Sequence, residues 1–188
     1  MKRVRSGRRE RRSRALLFRI LIFVLEILLV VILAYGVSTF FLRSVTMREN
    51  SMEPTISSGD TLLMNTLAYR FGSPGRRDII AYRNTDEEAE NLHIKRIIGI
   101  PGDTVQIVNG QIVLNGETYL DETFPAMVDP GLAIDPITLG DDEYFVLGDN
   151  RNGSEDSRYA SVGNVRKKRI AGKIWLRTWP IGKFGGLK

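Results

Sequence analysis

The stretch ILIFVLEILLVVILAYGVSTFFL, Ile20 to Leu42, runs for 23 residues with one charge, Glu26. At about 1.5 Å per residue, roughly 20 apolar residues cross a hydrocarbon core about 30 Å thick. A buried core helix of this composition would need a far larger protein around it than 188 residues. A removable leader would have an apolar stretch of about 7–15 residues followed by a small-residue cleavage site. Here the run is longer and closes on Phe40, Phe41, Leu42 and Arg43. Residues 16–42 therefore read as one uncleaved transmembrane anchor, with the lipid bilayer as a partner. Eight basic residues precede Ala15, and basic flanks stay in the cytoplasm. Residues 1–15 are expected to be a cytoplasmic tail and residues 43–188 an extracytoplasmic domain. Glu26 reads as protonated or as facing a partner helix.

The formal charge of +5 belongs to the tail. Residues 1–42 hold nine of the 27 Lys and Arg and two of the 22 acids, leaving 18 bases and 20 acids in residues 43–188. A slightly acidic domain lacks the basic face that nucleic acid requires, so no nucleic-acid partner is expected. The absence of cysteine excludes disulfides, a thiol nucleophile and thiolate metal sites. One histidine with scattered carboxylates gives no metal site, and no phosphate-binding Gly-x-x-x-x-Gly-Lys-Ser/Thr occurs. No cofactor is expected.

Beyond Arg43 the pattern is short and strand-like. The segments 60–67, 77–83, 92–99, 103–119, 143–148 and 169–179 are rich in Val, Ile, Leu and Tyr, and most are bounded by Gly, Pro, Asn or Asp. Asn109-Gly110 and Asn115-Gly116 supply the positive-φ residues of tight hairpin turns. No helical period of any length follows residue 44. The reading is an all-β domain of antiparallel sheet, with about 104–142 as a small inserted β/loop lobe. Its second half, 120–142, holds Pro125, Pro130 and Pro136 and reads as loop. The acidic stretch 84–91 is expected to be an exposed hairpin loop, and the basic run Arg166–Arg169 a solvated one.

Three segments carry chemistry. Ser51-Met52-x-Pro54-Thr55 places a serine eight residues beyond Arg43. If Ser51 is a nucleophile, a base must take its proton. His93 and Lys95 stand two apart on one strand and face the same way, so the residues alone leave the base open between them. The third segment, GDNRNGSEDSR at 148–158, is a dense polar loop. These segments, with HIKRIIGxPGD at 93–103, RRDII at 76–80 and the anchor, occur in one order along essentially the whole chain. In that order and spacing the chain resembles the type I signal peptidase family, in its short form.

The resemblance implies a serine endopeptidase with Ser51 as nucleophile and Lys95 as general base. Ser154 matches a hydroxyl that orients the lysine, and Asp156 and Arg158 a pair that holds their loop in shape. His93 stands where an aromatic residue is usual, which implies packing. The implied substrates are secreted preproteins cut after a small-x-small sequence, paired along the strand at Leu92–Lys95, with Met52 and Ile94 lining shallow substrate pockets. Two alternatives go with it: an inactive assembly factor for pilin-like surface appendages, or a peptidase dedicated to them. A self-cleaving repressor-type protease shares the Ser-Met and Lys segments, but it is soluble and carries a DNA-binding domain.

Physical chemistry adds a demand. A free lysine titrates near 10.4 and is protonated at neutrality. Only burial among apolar groups favours the neutral amine; Met52, Ile94, Ile97 and Ile98 are expected to supply that wall. One residue departs from the family pattern. Two positions before the nucleophile, where Ser or Gly is usual, stands Glu49. A carboxylate beside a developing oxyanion repels it, so Glu49 is expected to turn outward and leave a backbone N–H to serve.

Overall fold

The computed structural model describes residues 3–84, 91–119 and 123–187, with backbone alone at 3–15 and 37–41. Most of the acidic loop expected at 84–91, and residues 120–122 of the expected lobe, lie outside the described residues. The chain divides into two units, Met1–Phe41 and Leu42–Lys188.

The first unit is a single helix, α1 (Arg3–Phe41), 39 residues long. Its stretch Leu16–Gly36 is long and apolar enough to cross a membrane. The described Leu, Ile, Val and Phe side chains from Leu16 to Leu33 are all exposed. An apolar surface of this size is costly in water and suits a hydrocarbon solvent.

The second unit is β-structure. Its larger sheet contains β1 (Leu42–Thr46), β2 (Thr61–Asn65), β3 (Ile79–Tyr82), β4 (His93–Gly99), β9 (Glu143–Leu147), β10 (Val165–Arg166), β11 (Ile170–Trp179) and β12 (Gly185–Gly186). The strand order is β1-β2-β11-β3-β4-β9-β10, with β12 on β11, and every recorded pairing is antiparallel. A second sheet, in the order β7-β6-β5-β8, uses β5 (Thr104–Val108), β6 (Gln111–Leu114), β7 (Glu117–Thr118) and β8 (Ile137–Thr138). Among the described residues after Phe41 the only helical pieces are three 3₁₀ turns, one of them Lys167–Arg169 in the basic run.

Asn109 and Gly110 adopt φ of 51° and 76°, the left-handed pair that a tight β5–β6 turn needs. Ile98, Phe145 and Leu147 of the large sheet share one core cluster with Val105, Ile107 and Ile112 of the small one. Gly99 stands at that seam, where a Cβ would come within 2.7 Å of both Leu139 and Val105 side chains. The remaining core forms two clusters, one around Met47, Met52, Ile56, Leu62, Met64 and Ile94, the other around Ile80, Tyr82, Ile97, Tyr144 and Val146.

Candidate active site

Ser51 opens a turn that is anchored from below. Met52 and Ile56 are wholly buried in the first cluster, and the Ile56 N–H donates to the Met52 carbonyl at 2.9 Å. This clamps the backbone that follows the serine, which is itself 4 % exposed. The loop after β9 docks on top. The Asn150 N–H donates to the Ser51 carbonyl at 3.1 Å, and Asn150 Nδ2 donates to the Asn50 carbonyl at 3.2 Å. Gly148 is what lets the two loops close: a Cβ there would lie 2.2 Å from Ser154 Oγ and 2.3 Å from the Ser51 carbonyl oxygen.

Lys95 reaches the same spot from β4. It is 1 % exposed, and its Nζ donates to Ser51 Oγ at 2.8 Å. The antiparallel register sets Lys95 opposite Ile80 and His93 opposite Tyr82, both in the third cluster. The four apolar neighbours expected from sequence divide among three clusters: Met52 and Ile94 in the first, Ile98 in the second and Ile97 in the third.

Glu49 does not turn outward, and this corrects the sequence expectation. Its Oε2 accepts from Lys95 Nζ at 2.9 Å and from Ser51 Oγ at 3.0 Å, and its Oε1 meets His93 Nδ1 at 2.7 Å. The physical reason is the buried lysine. An Nζ removed from water needs acceptors for its hydrogens, and a carboxylate two residues before Ser51 is within reach. The His93 hydrogen bond is the largest influence holding the Glu49 carboxyl down, to about 2; partial burial opposes it, and the charge and hydrogen bond of Lys95 and the Ser51 hydroxyl add to the lowering. His93 does pack, its ring 5.8 Å from Tyr82, but it also has this polar partner. The signal for Glu49 was present in the sequence as one of two carboxylates, with Glu53, standing two residues from the nucleophile in a site that must also bury a lysine.

The 148–158 loop is held by charge. Arg158 Nε and Nη2 donate to Asp156 Oδ1 and Oδ2 at 2.8 and 3.0 Å. Asp156 also accepts from the Gly148 N–H at 3.1 Å, and Arg158 Nη2 from the same guanidinium donates to the Arg151 carbonyl at 2.7 Å. A second buried fork, unforeseen from sequence, ties this loop to β4: Arg96 Nε and Nη2 donate to Asp149 Oδ1 and Oδ2 at 2.8 and 2.7 Å. From the RRDII segment at 76–80, Arg76 pairs with Asp103 at 3.0 Å. Ser154 behaves differently from expectation. Its Oγ is buried and has no hydrogen-bond partner among the described residues; the second partner of Lys95 Nζ is Glu49.

A cleft of about 480 Å³ runs between residues 44–49 and 91–94, with Glu49 and His93 on its wall. Ile94 borders it, whereas Met52 lies in the core beneath Ser51. In the recorded ladders, His93, Ile94 and Lys95 pair with β3 on one side, while β9 joins β4 only from Arg96 onward.

Residues 20–179 match the family described as signal peptidase, peptidase S26. The chain is 40 % identical over 159 residues to a probable signal peptidase I-2 of Synechocystis, covering 82 % of this chain and 71 % of that protein. It is 36 % identical over 163 residues to a signal peptidase I of Leptolyngbya laminosa, covering 84 % and 78 %. Against a signal peptidase I P of Bacillus subtilis subsp. natto the identity is 34 % over 166 residues, covering 84 % and 88 %.

Proposed function

The chain belongs to the signal peptidase family, peptidase S26, and is a serine endopeptidase; on that premise we propose that it removes signal peptides from secreted preproteins with Ser51 as nucleophile and Lys95 as general base, anchored in a membrane by α1. The observation that carries the reading is the 2.8 Å contact between Lys95 Nζ and Ser51 Oγ, made by side chains almost wholly out of solvent.

The preprotein lies extended in the cleft between residues 44–49 and 91–94, its backbone paired with the open edge at His93–Lys95. Lys95, as the amine, takes the Ser51 proton while Oγ attacks the scissile carbonyl carbon. The oxyanion faces the Ser51 backbone N–H. The resulting Lys95 ammonium protonates the departing amine, leaving an acyl-enzyme. Lys95 then takes a proton from water, the hydroxide adds to the ester carbonyl, and collapse returns the proton to Oγ. The basic tail stays in the cytoplasm and the catalytic unit works on the outer face.

The test uses the full chain in detergent and a labelled preprotein with a small-x-small cleavage site. Ser51→Ala and Lys95→Arg each lower kcat by about a thousandfold or more; arginine keeps its charge and cannot act as a base. Full activity in either variant overturns the assignment.

A further inference from the structure

This inference rests on the Ser51–Lys95 reading. Glu49 Oε2 accepts from both reacting side chains at once, 2.9 Å from Lys95 Nζ and 3.0 Å from Ser51 Oγ. In this arrangement the serine hydrogen is directed to Glu49, and Lys95 donates to both of its partners. Attack requires the reverse: the hydroxyl must donate to the nitrogen lone pair, and no anion should stand where the oxyanion forms.

A separate observation points to a second arrangement. Ser154 is 7 % exposed, and its Oγ is buried without a partner among the described residues. It packs against Gly148 on the same small space as the Ser51 carbonyl. A buried hydroxyl with nothing to bond is costly to keep. The site thus has one acceptor too many on the dyad and one hydroxyl unused beside it. Glu49 has room to leave, since its side chain is 37 % exposed and lines the cleft.

We propose that Glu49 is a latch: it holds Ser51 and Lys95 in a resting arrangement and is displaced when a peptide fills the cleft between residues 44–49 and 91–94, leaving Lys95 to take the Ser51 proton with Ser154 Oγ as its new partner. As the carboxylate withdraws, Lys95 releases one proton to solvent and keeps its lone pair for the hydroxyl. Among the described residues, the titratable groups that face the carboxylate are His93 and Lys95 of β4, with the Tyr82 ring of β3 tilted against His93. Glu49 is a positioning residue, acting through Lys95 and Ser51.

The test compares the parent full chain with Glu49→Gln, Glu49→Ser and Glu49→Asp in detergent, on a fluorogenic peptide with a small-x-small site. Gln and Ser raise kcat/KM by about tenfold or more, the gain expected if the open state is populated near one part in ten. Most of the gain appears as a lower KM, because binding no longer has to open the latch. The acid limb of kcat/KM moves to lower pH in both, and Glu49→Asp restores the parent limb. Para-nitrophenyl acetate, too short to fill the cleft, acylates Ser51 faster in Glu49→Gln than in the parent. Gln keeps the shape of Glu, so this measurement holds even if Glu49→Ser does not fold. A tenfold loss in Gln and Ser that Asp repairs makes Glu49 a required helper and overturns the latch. Unchanged rates with an unmoved acid limb overturn it too. Ser51→Ala runs alongside: cleavage surviving there sinks the dyad reading itself.

Discussion

A carboxylate that accepts from three side chains is harder to protonate than one in water. Glu49 is the case here, its carboxyl lowered from 4.5 to about 2, foremost by the His93 hydrogen bond. The folded value lies below the unfolded one, so the unfolded chain binds the proton more tightly and acid favours unfolding. The stabilisation is complete above pH 4.5 and is lost as pH falls toward about 2. The difference in urea midpoint between the parent and Glu49→Gln should therefore stay level at higher pH, then shrink across that window. A difference that grows with acid contradicts the assignment. Solvent reaches part of this side chain, so the effect is modest. That Ser51 and Lys95 would meet was legible in the sequence from the order of the segments and the resemblance they carry. The inward turn of Glu49 was not, since it depends on which cation the fold buries 46 residues away.

At the scale of elements, the 148–158 loop owes its shape to two buried forks rather than to a core of its own. Asp156 and Arg158 are 0 % and 1 % exposed. Removing one partner leaves the other charge buried and uncompensated, which costs about 3–5 kcal/mol. Asp156→Ala should lower the unfolding free energy by that order. Arg158→Met made with it should cost less than the two single changes together, because no charge is then stranded. A loss in Asp156→Ala below about 1 kcal/mol would mean that water reaches the guanidinium. The long strands were readable from β-branched runs and from Asn-Gly turns such as 109–110. Four were not. β8, β10 and β12 are two residues each, too short for any period, and β1, LRSVT, follows the apolar run with mostly exposed residues. Each exists because another strand offers it a ladder: β1 takes its register from β2, and β12 from β11. The Arg96–Asp149 fork was hidden for the same reason, since its partners lie 53 residues apart.

For the whole molecule, the division at Phe41 separates two problems that this proposal assigns to two parts. Residues 42–188 contain every side chain placed in the reaction and all three core clusters. None of the apolar stretch Leu16–Gly36 is buried. Its role in the proposal is to share a bilayer with the substrate, which turns an encounter in three dimensions into one at high effective concentration. A chain cut before Leu42 keeps β1, and with it the edge that pairs with β2. That truncated form should cleave a short soluble peptide within about threefold of the full chain, because the site is intact and no tether acts on a soluble substrate. On a preprotein embedded in liposomes that also hold the enzyme, the full chain should be faster by about a hundredfold, the gain expected from co-localisation. Measuring both substrates with both forms separates the effects. An equal loss on the two would make α1 part of the catalytic fold, and no loss on either would remove the membrane from the mechanism.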